Sequence, residues 1–217
     1  MQGIIRGGLI ALLSVVWLSD LGLAASSAPT EFIRRTTDSI LQVFEGSQLQ
    51  GSAHRAERLA RLQHIANTAF DWEQIAQRAL ATHWRDRTLQ ERQEFTELLR
   101  ETVQGRYLER LEAAAQQRLQ EKPAILYHGE QVDGQRAMVR TAVVTKHHWE
   151  VPIEYRLRHS EGQWRIYDVV ITGVSLVNNF RAQFHRIITQ SSYQALIGQL
   201  KARQLGEIDA DPPQTSR

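Results

Sequence analysis

The stretch Val151-Pro152-Ile153-Glu154-Tyr155-Arg156-Leu157-Arg158, followed by Ser160-Glu161-Gly162 and Trp164-Arg165-Ile166-Tyr167-Asp168-Val169-Val170-Ile171, decides the fold. Val151, Ile153, Tyr155 and Leu157 alternate with Pro152, Glu154, Arg156 and Arg158, which is the period of a half-buried strand. Ser160-Glu161-Gly162 reads as a hairpin turn. The next strand places Trp164, Ile166, Asp168 and Val170 on one face, and Gly173 ends it. Upstream, the β-branched run Ala137–Thr145 predicts a third strand, with Lys146-His147-His148 as its turn. Ala124–His128 predicts a short fourth.

The period changes on both sides of these strands. Pro29-Thr30 opens a helix with Phe32, Ile33, Ile40, Leu41 and Phe44 at helical spacing, and Gly46–Gly51 breaks it. A second helix from about Ser52 carries Leu59, Leu62, Ile65, Ala66 and Ala69. Asp71 is an N-cap before Trp72, Ile75, Ala76, Ala79 and Leu80. Thr88-Leu89-Gln90-Glu91 is a capping box. Its helix carries Phe95, Leu98, Leu99, Val103, Tyr107, Leu108 and Leu111 on one face and runs to about Leu119, before Pro123. Two helices follow the strands, marked by Leu176, Phe180, Phe184 and Ile188, then by Tyr193, Leu196, Ile197 and Leu200. Helices, then antiparallel strands, then helices is an α+β order, with about four strands covered on one face by helices.

The 217 residues include 42% hydrophobic and 23% charged positions and no cysteine, enough for one domain with a real core. The 26 basic and 24 acidic residues are interspersed. The longest basic cluster is Arg34-Arg35, which argues against nucleic-acid binding. Residues 1–24 read as a secretory signal: Arg6 precedes the uncharged run Gly7–Ser19, and Gly22-Leu23-Ala24 fits a small-residue cleavage site. The run is too short to span a bilayer. The expected product is a soluble Sec-exported domain, residues 25–205, with a disordered tail over 206–217.

Motifs for chemistry are missing. The chain has no phosphate-binding glycine loop, no nucleophile elbow and no H-E-x-x-H. His147-His148 is the best metal candidate, but adjacent strand residues point to opposite faces, so no metal site is expected. Asp168, beside Trp164 and Tyr167, reads first as a carboxylate paired with an arginine. A small enzyme using Tyr107, Tyr155 and Asp168 for proton transfer on a hydrophobic ligand is the alternative. Periodicity alone does not separate an ordinary packed core from a ligand cavity.

Three stretches together resemble one family. Phe70-Asp71-Trp72 with Ala79-Leu80 and Trp84-Arg85 is similar to its F-D-[FW]…A-L-G-x-x-W-R segment. Val151–Tyr155 resembles its central strand. Trp164–Val170 followed by Gly173–Phe184 resembles its W-x-x-Y-D-V-x-x-x-G-V-S-L-V-x-N-Y-R-x-Q-F signature, with Phe180 where tyrosine is usual; Ala81 replaces the usual glycine of the first segment. The family is MlaC, the toluene-tolerance-type phospholipid-binding proteins of the Mla pathway. The resemblance implies a cone-shaped, nuclear-transport-factor-like α+β fold with an apolar cavity. It also implies a non-enzymatic periplasmic carrier that needs no cofactor and takes phospholipid as cargo. Such a carrier exchanges lipid between an outer-membrane lipoprotein–porin complex and an inner-membrane ABC transporter with a substrate-binding ring, and so maintains outer-membrane lipid asymmetry.

For such a pocket, strand alternation nominates Val139, Val143, Val151, Ile153, Tyr155, Ile166 and Val170 as lining. Facing helices would add Leu98, Leu99, Val103, Tyr107, Leu176, Val177 and Phe180, with Arg140, Arg156 or Arg181 at the mouth. On this reading a glutamate at Ile153 or Val170 ejects the lipid, since an unpaired buried charge costs several kcal/mol. A one-residue register slip would exchange the two strand faces.

Overall fold

A computed structural model describes residues 28–45, 51–117, 124–144 and 149–203. The expected signal, the Lys146-His147-His148 turn and the tail from residue 206 lie outside the described residues. Helices α1 (Pro29–Glu45), α2 (Arg55–Ala69), α3 (Trp72–Leu80) and α4 (Leu89–Gln117) precede strands β1 (Ala124–Asp133), β2 (Arg136–Val144), β3 (Glu150–Ser160), β4 (Gln163–Ile171) and β5 (Val174–Ser175). Helices α5 (Leu176–Gln190) and α6 (Tyr193–Lys201) close the described chain.

Local signals place the element ends. The Asp71 carboxylate accepts from the Gln74 N–H at 3.1 Å and caps α3. The capping box forms in both directions: the Thr88 hydroxyl accepts from the Glu91 N–H at 3.2 Å, and the Glu91 carboxylate accepts from the Thr88 N–H at 2.8 Å. Glu161 (φ 53°) and Gly162 (φ 78°) form the tight turn between β3 and β4. Two consecutive left-handed residues match the right-handed twist of the strands they join.

The sheet is antiparallel in the order β1-β2-β3-β4-β5, so four long strands gain a two-residue fifth. Phe70 bridges to Ile166 on the outer edge of β4, where the Asp71 N–H donates to the Ile166 carbonyl at 2.8 Å. Strand β1 is twice the length the sequence suggests. Beyond His128 the residues Gly129-Glu130-Gln131-Val132-Asp133 are exposed and carry no alternation. Backbone pairing to β2 carries them, across an irregularity between Tyr127 and Gly129. Glu130 also has a task there: its carboxylate accepts the Thr30 N–H at 2.7 Å, in the first turn of α1, where a negative charge is favoured.

The apolar interior of the described residues has two main cores and a small third cluster, Val43 and Leu62 with Leu108 of α4 against them. One core is purely helical: Ile75, Ala79, Leu80 and Trp84 meet Phe95 and Leu99 of α4, Val177, Phe180 and Phe184 of α5, and Leu196 and Leu200 of α6. Phe184 stacks on Phe180 at 5.6 Å and takes Phe95 edge-on at 5.7 Å between centroids. The other core joins Ile33 of α1 and Ala69 of α2 to Ala137, Val139, Leu157, Trp164 and Ile166 of the sheet. Phe70 packs against both cores. Thus α1 and α2 cover the sheet, whereas α3–α6 chiefly bury one another.

The second half of α4 departs from the expected apolar stripe. Leu111 is exposed, while Gln104 and Glu112 are buried. Both face α2: Gln104 donates to Asn67 at 2.7 Å, and Glu112 takes the Arg58 guanidinium through Nε at 3.0 and 3.1 Å. Arg58, itself 4% exposed, also donates to the Gly51 carbonyl at 2.8 Å, so this buried pair is hydrogen-bonded on both sides.

Candidate functional site

Cross-strand partners in an antiparallel sheet share a face. The pairs Val139–Tyr155, Thr141–Ile153, Val143–Val151 and Ala137–Leu157 therefore define the helix-facing side of β2 and β3. Burial along this face is graded. At the end bearing the β3–β4 turn, Ala137, Val139, Leu157, Trp164 and Ile166 are fully packed under α1 and α2. Toward the opposite end Val143, Val151, Ile153 and Ile171 are only half-buried. Four apolar side chains on one continuous face are thus left incompletely covered by the described helices.

Hydroxyls punctuate this surface. Tyr155 and Thr141 hydrogen-bond, and burial pushes the Tyr155 phenol up to about 12 despite that bond. Thr141 also donates to the Ile153 carbonyl at 3.3 Å. Tyr127, on the same side, carries the Arg34 guanidinium over its ring at 4.1 Å.

The strand β4 corrects the alternation read from sequence. Its pairing with β3 slips by one residue: Leu157 pairs with Ile166, but Arg156 pairs with Asp168, leaving Tyr167 as the extra residue of a bulge. Past that point the faces exchange. Val169 pairs with Tyr155 and Ile171 with Ile153, on the helix-facing side. Asp168 and Val170 turn to the other side, opposite Arg156 and Glu154. All of Trp164, Ile166, Asp168 and Val170 are buried, yet they do not share one face. The sequence pattern missed Val169 and Ile171 because a bulge leaves no hydrophobic signature.

Asp168 is a structural carboxylate. It accepts from Arg156 at 3.2 Å, from the Ser175 hydroxyl at 2.7 Å and from the Val177 N–H at 3.1 Å. The Ser175 oxygen in turn accepts from the Asn178 N–H at 3.1 Å and caps α5. Glu154 also takes Arg156, at 2.9 Å. This network ties the start of α5 to the sheet, and it consumes the acceptors that acid–base chemistry would need. Because Asp168 and Tyr155 lie on opposite faces, the proton-transfer constellation of Tyr107, Tyr155 and Asp168 does not assemble.

The nominated helical residues converge elsewhere. Leu99, Val177 and Phe180 belong to the helical core, and Leu98 and Val103 pack against it. Leu176 is half-buried at the start of α5. Tyr107 is half-buried, its hydroxyl sealed from solvent with no hydrogen-bond partner among the described residues and its phenol pushed upward by that burial. Of the mouth arginines, Arg140 pairs in register with Glu154, and Arg181 donates to Asn178 at 2.7 Å on α5. Among the described residues no three metal-ligating side chains cluster, and no helix is long and apolar enough to cross a membrane.

The described residues form an α+β fold in which helices cover an antiparallel sheet and leave one end of its apolar face half-covered. The model of the MlaC protein family matches residues 34–202, and the chain belongs to that family. It is 24% identical over 185 residues to toluene tolerance protein ttg2D of Pseudomonas putida, covering 85% of this chain and 82% of that one. A phospholipid-binding protein from Ralstonia solanacearum, solved in complex with a phospholipid, shares the fold with a TM-score of 0.68 at 20% identity. That match covers 80% of this chain and 95% of the other.

Proposed function

We propose that this protein is a periplasmic phospholipid carrier whose cargo lies with its acyl chains against the half-buried end of the inner sheet face. The single observation that carries the reading is the graded burial of that face in a member of the MlaC family. The phospholipid in the Ralstonia protein of the same fold supports it.

The lining on this reading takes Val143, Val151, Ile153 and Tyr155 from the strand pattern, and Val169 and Ile171 from the observed register. Val139 and Ile166 form its closed end, packed against Ile33 and Ala69. Two acyl chains of about 30 methylenes, at ~0.8 kcal/mol each, are held in a membrane by roughly 24 kcal/mol of transfer free energy. A carrier has to match that environment without exceeding it, since a much tighter site would trap the lipid. An apolar face with few directional contacts meets this need. The hydroxyls of Thr141 and Tyr155 are already bonded to each other and to backbone, so they do not demand a polar partner from the cargo.

The carrier exchanges lipid between an outer-membrane lipoprotein–porin complex and an inner-membrane ABC transporter with a substrate-binding ring, and maintains outer-membrane lipid asymmetry. It does no chemistry on the lipid. Direction is supplied by the partners, since no nucleotide-binding motif is present in the sequence. The test is native mass spectrometry of the mature protein, purified from periplasm without detergent, with lipid extraction in parallel. One phospholipid per chain is the expected result. A clean lipid-free mass that persists after incubation with phospholipid vesicles would refute the reading.

A further inference from the structure

Two histidines 102 positions apart meet at the junction of α3 and α5. His83 lies in the 3-10 turn Ala81–Trp84 that follows α3, and His185 lies on α5. Nε2 of His83 and Nδ1 of His185 are 3.0 Å apart, with ring centroids at 5.2 Å and a tilt of 33°. They line a pocket of about 370 Å³, together with Thr82, Asn178 and Arg181.

We propose that His83 and His185 form a bidentate site for a divalent d-block cation, with copper(II) favoured over zinc. Imidazole–metal bonds are about 2.0–2.1 Å. Two such nitrogens on one ion are therefore about 2.9 Å apart at a square-planar angle and about 3.3 Å apart at a tetrahedral one. The observed 3.0 Å lies between these values. Because the 5.2 Å centroid separation sets the two nitrogens nearly head-on, each ring turns by roughly 30° to aim its lone pair at a shared ion.

The rings face each other through two nitrogens, one of which already offers its lone pair while the other is one tautomer away from doing so. Moving the shared proton to the far nitrogen of its own ring frees both donors with no change of net charge. The two nitrogens belong to separate elements, and coordination would staple α3 to α5 across their contact. The remaining coordination positions fall to water in the pocket. Arg181 is the charged side chain lining this pocket, and its Nη2 donates to Asn178 Oδ1 at 2.7 Å. Its positive charge disfavours every dication, which leaves preference to the metal that binds imidazole most strongly, copper(II) in the usual affinity order.

The experiment uses the untagged mature chain and its His83→Gln and His185→Gln variants, titrated with copper(II) and zinc(II) by calorimetry. Electron paramagnetic resonance counts the copper-bound nitrogens. The His147→Gln/His148→Gln double variant is the control for copper held by that adjacent pair. Expected are one saturable copper per chain, two equatorial nitrogens, and a copper-induced rise in melting temperature. Either single variant should bind about tenfold or more weakly and lose the melting shift, as removal of one arm of a chelate requires. The double variant should bind as the parent does. Absence of saturable binding, or binding that survives His185→Gln at the exposed α5 position, would overturn the proposal.

Discussion

The helical core and the inner sheet face are built from the same kinds of side chain and end in different states. In the helical core, Phe95, Phe184, Leu99 and Leu196 are 0% exposed, and aromatic rings interlock from α4 and α5. On the sheet, Val139 and Leu157 are equally sealed, yet Val143, Val151, Ile153 and Ile171 on the same face are not. Helices α3–α6 build their core from one another and reach the sheet chiefly along β4 and β5. The difference separates stability from function within one domain. The helical core is fully packed, and the strand ends that the described helices leave half-covered are where the proposed cargo would lie.

The comparison breaks most visibly at Phe184. Truncation to alanine leaves a cavity in a fully packed site, and we expect a loss of about 3–5 kcal/mol by urea unfolding. Glu112→Ala should cost a similar amount, since it removes the carboxylate that balances the buried Arg58 charge in the α2–α4 seam; a loss under about 1 kcal/mol would show that the pair is dispensable. On the sheet the expectation inverts. Ile153→Glu and Val169→Glu should empty the protein of co-purifying lipid while leaving it folded. Val170→Glu, which alternation alone equates with Ile153→Glu, should act through stability instead, with lipid retained per folded chain. Equal lipid loss in Val169→Glu and Val170→Glu would contradict the register argument.

Smaller effects sharpen the same contrast. Thr88→Ala removes the forward half of the capping box and should cost about 1 kcal/mol by thermal unfolding, wherever the ligand stands. Tyr155 and Tyr193 are both pushed up to about 12, chiefly by burial. Their stabilising contribution is complete below the unfolded phenol value near 10 and is lost as pH rises through about 12. Tyr155→Phe should therefore flatten the alkaline fall in stability between these limits. An unchanged slope, followed by the phenolate ultraviolet band and urea midpoints, would show that Tyr155 ionises freely in the folded protein.

Much of the architecture was legible because its causes are local. The Asp71 cap, the Thr88–Glu91 box and the Glu161-Gly162 turn each involve partners within three residues, so spacing suffices to find them. Strand β1 was underestimated because an exposed edge strand needs no hydrophobic period. Gln104 and Glu112 were missed because a buried polar seam looks like a solvated helix face until Asn67 and Arg58 are opposite. His83 and His185 carry no shared spacing at all; only the packing of α3 on α5 joins them.

By itself the sequence determined the class α+β, the order of its elements, the hairpin of β3 and β4 and the family signature from Trp164 to Phe184. These follow from periodicity and short-range hydrogen bonding, which a linear chain displays. The tertiary structure alone decided that α3–α6 form a core of their own, that the bulge at Tyr167 sends Val169 rather than Val170 to the helix-facing side, and that burial fades along that face. Each of these depends on which distant surface reaches a side chain first, and a residue's own neighbours in sequence hold no record of that.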